Sequence, residues 1–391
     1  MHQFVSPIKI LSGEGVLKNI PQELQNFNAG NVMIFADPGI IQAGILSKLE
    51  DVLKDAKVSY SIFSDLVPEP PLETGREAVQ ALKESNADFV IGIGGGSSLD
   101  VAKAAAVLYG NEGEPGDFLN LTGSRELENK GLPKMLIPTT SGTGAEVTDI
   151  SVFSLEKTKD VITDPLLLAD VAVLDPELTY TVPPRITAST GVDALTHAVE
   201  AYISVNATPL TDSLALEAVR LISRNIRTAV WHGSHEESRN KMAWGSLLAG
   251  LSFYNAGVSG VHALAYPLGG LYKIPHGESN AVMLPYVFDF VWPSCMEKMT
   301  DLADALGVDA SLLSTREAAV SAVQALQEIV RDTGIPQTLD RFGVKEEDIP
   351  LLAEEGIKQK RLLQRSPRPY SQNDIFQVYQ AAYFGELSLG K

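Results

Sequence analysis

Apolar residues in the first 180 positions follow two alternating spacings. Segments with helical spacing, such as residues 43–56, place residues like Leu46, Leu49 and Leu53 on one helix face. Between them lie short runs rich in Val, Ile and Phe, which are typical of buried strands. These runs occupy residues 31–37, 58–63, 88–96, 134–138 and 171–175. The alternation predicts βαβ units and a parallel sheet, with an antiparallel hairpin inserted at residues 149–164.

The pattern changes after Pro183 and Pro184. Long stretches with helical periodicity follow, opening with TASTGVDALTHAVEAYIS, and no convincing strand pattern appears after residue 185. We therefore predict two domains, an α/β domain over residues 1–182 and an all-helical domain over residues 183–391.

Composition adds limits on the partners and the compartment. The chain has 391 residues, 45% of them apolar, and a formal net charge of −18. Strong negative charge disfavours binding to nucleic acid or to an anionic membrane surface. The single cysteine cannot form an internal disulfide, and we find neither a secretory signal nor an apolar stretch that could span a bilayer. We therefore expect a cytoplasmic protein with no membrane or nucleic-acid partner.

A glycine-rich turn, VIGIGGGSSLDVAK, joins the third strand run to a helical segment. Glycines remove side chains, and the amides at a helix start can bind a phosphate. Ser97 stands where a strict G-x-G-x-x-G motif has its third glycine, so this segment alone leaves two interpretations open. It is either a phosphate-binding loop or a tight strand-to-helix turn, with Asp100 as a surface or first-turn carboxylate.

Two further strand ends carry polar residues. IPTTSGTGAEVT offers many hydroxyl donors, which suit a pyrophosphate or a nicotinamide but are also common in simple turns. Asp37 ends the first clear strand, where it could accept hydrogen bonds from a ribose or cap the turn at Pro38 and Gly39. Two such loops at strand carboxyl ends favour a bound nucleotide.

Three histidines and one aspartate lie in apolar surroundings in the second half. Asp193 and His197 are four residues apart and share one face of a predicted helix. His262 starts another helical run, and His276 follows the KIPHG turn. Buried groups of this kind need compensation, and this set suits Fe²⁺ or Zn²⁺ rather than Mg²⁺ or Ca²⁺. The alternative is that they are separate core histidines bonded to backbone carbonyls.

These segments together resemble the group III iron-containing, metal-dependent alcohol dehydrogenases. The resemblance runs nearly end to end and is most specific in TGVDALTHAVEAY and HALAYPLGGLYKIPHGESNAVMLP. It implies the dehydroquinate synthase-like fold of that family, with an NAD-binding, Rossmann-like domain over residues 1–182 and a metal-binding and substrate domain over residues 183–391. It also implies Fe²⁺, or Zn²⁺ or another divalent metal. The metal ligands implied are Asp193, His197, His262 and His276.

The same resemblance assigns cofactor residues. Asp37 matches the acidic residue with which the family favours NAD over NADP. Lys159 matches a hairpin lysine that reaches toward the nicotinamide ribose, and Glu69 departs from an asparagine common near the adenosine. The remaining matches are Gly94, Gly95, Gly96 and Ser97 at the pyrophosphate with Asp100 beside them, and Thr139, Thr140 and Thr143 along the pyrophosphate and nicotinamide.

The implied activity is reversible NAD(H)-linked hydride transfer between a primary alcohol or diol and its aldehyde, in a homodimer or larger homo-oligomer. Many members have histidine where this chain has Tyr266, which is then part of a proton relay or, as we favour, a pocket wall. Arg361 and Arg365 lie in a segment that resembles the stretch bordering the substrate. If one faces the substrate, that molecule could carry an anion; we favour ordinary helix-surface charges.

One alternative stays within redox chemistry. A hydroxyacid dehydrogenase or hydroxyacid–oxoacid transhydrogenase would act on a substrate like 4-hydroxybutyrate, and a tyrosine at position 266 is also familiar among such relatives. A dehydroquinate synthase-like lyase is disfavoured by the apolar sequence at residues 261–285. A catalytically inactive binding protein is disfavoured because all four implied ligands are present.

Overall fold

The structure, a computed structural model, describes residues 3–155 and 159–389. Its contacts separate the chain into two units. The α/β unit consists of Ser6–Thr140 and Gly144–Thr181, and the helical unit consists of Met1–Val5, Ser141–Thr143 and Val182–Lys391.

A six-stranded, wholly parallel sheet forms the centre of the α/β unit, with strand order β1-β8-β5-β4-β2-β3. The strands β6 and β7 form a separate antiparallel pair. The strand bounds are β1 Lys9–Ser12, β2 Asn31–Ala36, β3 Ser59–Phe63, β4 Phe89–Gly94, β5 Lys134–Pro138, β6 Ile150–Ser154, β7 Lys159–Thr163 and β8 Val171–Leu174. The predicted parallel sheet is confirmed, and so is the predicted hairpin on both sides of residues 156–158, which lie outside the described residues.

The register places three functional loops at one edge of this sheet. Ala36 pairs with Ile93 between β2 and β4, and Gly94 pairs with Pro138 between β4 and β5. Because parallel strands end at the same edge, the segments that follow β2, β4 and β5 leave the sheet side by side.

Helices cover both faces of the sheet. Their bounds are α1 Ile20–Asn26, α2 Pro38–Gln42, α3 Ile45–Asp55, α4 Leu72–Glu84 and α5 Gly96–Leu108. The predicted apolar face of α3 is buried, because Leu46, Leu49 and Leu53 pack with one face of the strands. Residues of α4 and α5 pack with the other face, so each face of the sheet has its own hydrophobic core.

The helical unit has one continuous hydrophobic core. Its helices are α6 Pro184–Ile203, α7 Pro209–Trp231, α8 Glu236–Ala256, α9 Gly260–Tyr272, α10 His276–Val291, α11 Met296–Leu306, α12 Thr315–Asp332, α13 Ile349–Gly356, α14 Lys360–Leu363 and α15 Gln372–Phe384. The described residues after Leu174 contain no strand, as predicted. Among the residues placed by the structure, no helix combines the length and apolarity needed to cross a membrane.

Candidate functional site

The four predicted metal ligands lie together in the helical unit. Asp193 and His197 project from α6, His262 lies in the first turn of α9, and His276 begins α10. One possible ligand atom from each lies within 4.8 Å of the others. The Nε2 atoms of His262 and His276 are 3.8 and 3.6 Å from Oδ1 of Asp193. Helices distant in sequence therefore bring four potential ligands to one point.

Packing around α6 holds these side chains in place. Leu195 and Val199 are fully buried on other faces of the helix. The Phe253 ring stacks on the His197 ring with centroids 4.2 Å apart. Gly277, next to His276, lies against the backbone of Ser189, where any added side chain would collide with the carbonyl oxygen. This glycine therefore allows the start of α10 to approach α6 closely.

Protonation within the cluster suits metal binding. Burial lowers the pKa of His197 to about 4, so its ring is neutral near pH ~7. Burial of Asp193 favours its neutral form, but attraction to His197, His276 and His262 in their protonated forms, together with the hydrogen bond from Asn280, outweighs this effect and holds the pKa of Asp193 below its ordinary value. The cluster thus combines an ionised carboxylate with a neutral imidazole, the forms that bind a cation.

Glu200, which the sequence analysis did not identify, fixes the orientation of His262. Its side chain is fully buried and accepts hydrogen bonds from Ser259 Oγ at 3.0 Å, Val261 N at 2.6 Å and His262 Nδ1 at 2.6 Å. A proton on Nδ1 leaves Nε2 of His262 as the acceptor that faces the cluster. The one feature of the sequence that could have identified Glu200 is its position on the same helix as Asp193, seven residues later.

Asn280 was also missed, and its side-chain amide lies at the centre of the ligand atoms. Its Nδ2 is 2.7 Å from Asp193 Oδ1, 3.1 Å from His262 Nε2 and 3.2 Å from His276 Nε2. Its Oδ1 is buried and has no hydrogen-bond partner among the described residues. Its position one helical turn after His276 was the available signal.

A divalent cation fits this arrangement of atoms. Three acceptor atoms, from Asp193, His262 and His276, share the single amide group of Asn280. The buried Nδ1 of His197 likewise has no hydrogen-bond partner within the described chain. An excess of converging acceptors is satisfied by positive charge, and imidazole with carboxylate is a donor set for Fe²⁺ or Zn²⁺.

The glycine-rich turn of the α/β unit has the backbone of a phosphate-binding loop. Gly94 ends β4 with a φ of +150°, and a Cβ there would lie 2.7 Å from Ser98 Cβ. Gly95 then caps α5, so the first amide groups of that helix, at Gly96 and Ser97, start at the edge of the sheet. Amides at a helix start attract anions, which favours the phosphate-binding interpretation over a simple turn.

The threonine loop lies beside this turn. The amide of Thr139 donates to the carbonyl of Gly94 at 3.0 Å, and Thr140 Oγ1 lies 3.8 Å from the position of a Cβ on Gly95. The two polar loops predicted from the sequence are therefore neighbours in the α/β unit. Thr143 belongs to the short segment Ser141–Thr143 of the helical unit.

Asp37 performs the capping role that the sequence left open. Its Oδ1 accepts hydrogen bonds from Gly39 N at 2.9 Å and Ile40 N at 3.2 Å at the start of α2. Its Oδ2 accepts one from Ser98 Oγ at 3.0 Å, which connects this carboxylate to the first turn of α5. Asp37 is partly exposed beside the glycine turn, and its role toward a ribose stays a prediction.

Asp100 lies in α5 beyond its first turn and is buried, so neither position offered by the simple-turn interpretation holds, while its predicted place beside the pyrophosphate stays a prediction. It forms an ion pair of 3.0 Å with the fully buried Lys103, and its Oδ2 accepts a hydrogen bond from Val152 N at 3.0 Å. Lys103 also donates to the carbonyl of Ala145 at 3.0 Å. The pair therefore ties α5 to β6 and to the threonine loop, which explains why two charges are buried here.

Lys159 begins β7 and forms a 2.7 Å ion pair with Glu69. The amide of Glu69 in turn donates to Ser97 Oγ at 3.2 Å. These contacts place Lys159 and Glu69 beside the glycine turn within the α/β unit. The predicted approach of Lys159 to a nicotinamide ribose stays a prediction.

Tyr266 lies on α9, one turn after His262, with its ring centroid 6.2 Å from that of His276. Arg361 belongs to α14, and Arg365 follows that helix. Both arginines are only partly exposed, and their charges act on the Tyr266 hydroxyl. The expectation that Arg365 is an ordinary helix-surface charge was therefore wrong, because it lies outside the helix and is partly buried.

Comparison with known proteins shows which family the chain belongs to. The family model described as iron-containing alcohol dehydrogenase matches residues 7–176, and the model of the C-terminal domain of the Fe-containing alcohol dehydrogenase family matches residues 187–383. Long-chain-alcohol dehydrogenase 1 of Geobacillus thermodenitrificans is 53% identical over 375 residues, covering 96% of this chain and 95% of that relative.

Two solved structures extend this likeness to the fold. The crystal structure of 1,3-propanediol oxidoreductase has a TM-score of 0.94 at 36% identity and covers 98% of this chain and 100% of its own. Sulfoacetaldehyde reductase from Bifidobacterium kashiwanohense, solved in complex with NAD⁺, has a TM-score of 0.89 at 28% identity and covers 99% and 100%. This chain belongs to the iron-containing alcohol dehydrogenase family.

Proposed function

We propose that this protein transfers hydride reversibly between a primary alcohol or diol and NAD⁺, forming the aldehyde and NADH. The observation that carries the proposal is the cluster of three imidazoles and one carboxylate, whose ligand atoms lie within 4.8 Å of one another. Family membership and the names of two relatives, a long-chain-alcohol dehydrogenase and a 1,3-propanediol oxidoreductase, support the same reaction class.

The ligand residues contribute to metal binding in different ways. Asp193 supplies an ionised oxygen, and His197 supplies a neutral ring because burial lowers its pKa to about 4. Glu200 keeps the proton of His262 on Nδ1 and so leaves Nε2 free to bind. When bound, Fe²⁺ would lower the pKa of the alcohol as a Lewis acid, and NAD⁺ would accept the hydride.

Tyr266 fits the role of pocket wall better than that of a base. Burial raises the pKa of its hydroxyl above the ordinary value, so the group stays protonated near neutral pH. A protonated hydroxyl can donate a hydrogen bond or exclude water, but it cannot remove a proton from the alcohol.

We place NAD at the loops that follow β2, β4 and β5 in the α/β unit. The start of α5 faces this edge with Gly95, Gly96 and Ser97, and the Asp37 carboxylate beside it would repel the 2′-phosphate of NADP. The NAD⁺ complex of the sulfoacetaldehyde reductase supports this choice of cofactor. In this proposal residues 1–182 bind NAD and residues 183–391 bind metal and substrate; the homo-oligomer and the cytoplasmic location stay predictions.

Metal loading under anaerobic conditions tests the proposal. The protein would be stripped with a chelator and reloaded with Fe²⁺ or Zn²⁺, and its metal content would be measured by mass spectrometry. NADH formation would then be followed with alcohols, diols and hydroxyacids, using NAD⁺ and NADP⁺ in parallel. We expect metal-dependent turnover with NAD⁺ preferred.

Two histidine-to-alanine variants, one inside and one outside the cluster, provide a matched comparison. His276→Ala should lose bound metal and turnover together, whereas His232→Ala, at an exposed residue outside the cluster, should keep both. If the fully metal-loaded protein oxidises none of these compounds with either cofactor, the proposed dehydrogenase activity is refuted.

A further inference from the structure

Two arginines near the metal ligands lack an acidic partner. Neither Arg361 nor Arg365 forms an ion pair or a side-chain hydrogen bond with any of the described residues. Two other partly exposed arginines of the helical unit do have partners: Arg227 pairs with Asp332 at 2.8 Å, and Arg368 donates to the carbonyl of Phe290 at 2.6 Å. Two positive charges that are only partly exposed and have no counter-charge among the described residues are available to bind an anion.

The side chain of Arg365 lies against Gly257 in the helical unit. A Cβ on Gly257 would lie 2.5 Å from Cδ and 2.7 Å from Nε of Arg365, so the Arg365 side chain packs directly against the backbone of Gly257. Gly257 follows α8, one helical turn after Phe253, whose ring stacks on His197 at 4.2 Å. Arg365 therefore contacts the residue that follows α8, the helix whose Phe253 ring stacks on a potential metal ligand.

Tyr266 lies near His276, and the charges of both arginines act on its hydroxyl. Its ring centroid is 6.2 Å from that of His276. Burial raises the pKa of Tyr266, while the charge of Arg361, the strongest charge acting on it, and that of Arg365 oppose this rise. The helix α14, which carries Arg361, packs on α9, which carries Tyr266 and His262. The arginines, Tyr266 and the metal ligands thus form one neighbourhood within the helical unit.

The two guanidinium groups also repel each other. Burial lowers the pKa of Arg365, and the charge of Arg361 lowers it further, while only Tyr266 acts in the opposite direction. An oxyanion would remove this repulsion, because planar guanidinium groups bind carboxylates and sulfonates with paired, charge-assisted hydrogen bonds. A neutral alkyl chain could not compensate either charge.

We propose that Arg361 and Arg365 bind an anionic group, a carboxylate or sulfonate, at the end of the substrate remote from its hydroxyl or aldehyde carbon. The inference rests on the proposed alcohol–aldehyde chemistry and names the substrate class for that site: short ω-hydroxyacids and their aldehydes.

A matched substrate pair tests this directly. The values of kcat/KM would be measured for 4-hydroxybutyrate and for its neutral amide, 4-hydroxybutanamide, in wild type and in Arg361→Met and Arg365→Met. Wild type should prefer the acid. Each substitution should lower kcat/KM for the acid by about 10- to 100-fold, the value of a charge-assisted hydrogen bond, and change it for the amide by less than about threefold.

Two further variants control for charge and folding. Arg341→Met removes the same charge from a largely exposed side chain and should leave the acid-to-amide ratio unchanged. Arg365→Lys keeps the charge but loses the planar guanidinium that can form two hydrogen bonds to one carboxylate. It should therefore raise KM for the acid more than it lowers kcat. Thermal unfolding of each variant would show that the fold is kept, and Arg365→Lys provides the test if Arg365→Met does not fold.

Binding measurements separate this inference from the proposed function. Calorimetric titration with 4-hydroxybutyrate should show binding to wild type and weaker binding to Arg365→Met, whether or not turnover occurs. If wild type oxidises neutral alcohols but prefers the amide or long-chain alcohols to the acid, the anion site is refuted, whereas the proposed dehydrogenase activity is supported. The inference is also refuted if the variants raise KM for NADP⁺ alone, because the arginines would then bind a cofactor phosphate.

Discussion

Replacing Glu200 by glutamine tests how the metal site is built without touching a ligand. The side chain is fully buried, and glutamine has nearly the same shape, so the packing is kept. Oε1 of Glu200 accepts from Ser259 Oγ and Val261 N, and Oε2 accepts from His262 Nδ1. A glutamine has only one acceptor oxygen, so one of these two positions must become an NH₂ donor.

Either orientation of the glutamine has a cost. If its oxygen keeps the bonds to Ser259 and Val261, its NH₂ group faces Nδ1 of His262, and the imidazole proton must move to Nε2. That nitrogen is 3.8 Å from Asp193 Oδ1 and would no longer accept a cation. If the amide is reversed, its NH₂ group opposes the backbone N–H of Val261 and the bond is lost. We expect metal affinity to fall by about 10- to 100-fold, or about 1.4 to 2.7 kcal/mol.

The assay is competition for Fe²⁺ or Zn²⁺ against a chromogenic chelator, with thermal unfolding measured in parallel with and without metal. Glu23→Gln is the matched control, because Glu23 is also a buried carboxylate, paired with Lys9 at 2.8 Å and outside the metal cluster. Stabilisation by metal should shrink in Glu200→Gln and persist in Glu23→Gln. Unchanged metal affinity in Glu200→Gln would refute the view that this carboxylate sets the tautomer of His262.

Three further predictions concern the α/β unit. Gly94→Ala should weaken NAD⁺ binding in a fluorescence titration and destabilise the fold by about 1 to 3 kcal/mol, because the new Cβ would lie 2.7 Å from Ser98. Burial raises the pKa of Glu146 from 4.5 to about 7, so its contribution to stability is present below pH 4.5 and is lost as the pH rises toward 7. Denaturant unfolding of Glu146→Gln should therefore show a gain of up to about 3 kcal/mol above pH ~7 that disappears near pH ~4.5; a gain independent of pH would contradict this. Asp37→Ala should cost about 1 kcal/mol through the lost cap of α2 and raise activity with NADP⁺ relative to NAD⁺; an unchanged cofactor ratio would leave only the capping role.

Local patterns were enough to predict most elements. Buried strands such as β2, β4 and β5 are short apolar runs, and α3 has its three leucines at helical spacing, so both follow from sequence periodicity. The strand β1, Lys9–Ser12, was missed because it is short and lies at the edge of the sheet. Its side chains alternate only weakly in exposure, and its backbone pairs with β8, far away in the sequence.

The sequence by itself determined the pairing of Asp193 with His197, because the helical repeat places residues four apart on one face. It also determined the types of ligand available at His262 and His276. Only the tertiary structure decided that α6, α9 and α10 meet, because contacts between distant segments depend on packing of the whole core rather than on local spacing. For the same reason the bond from Glu200 to His262, the central place of Asn280 and the partly buried position of Arg365 could not be read from sequence patterns: each depends on neighbours supplied by a different helix.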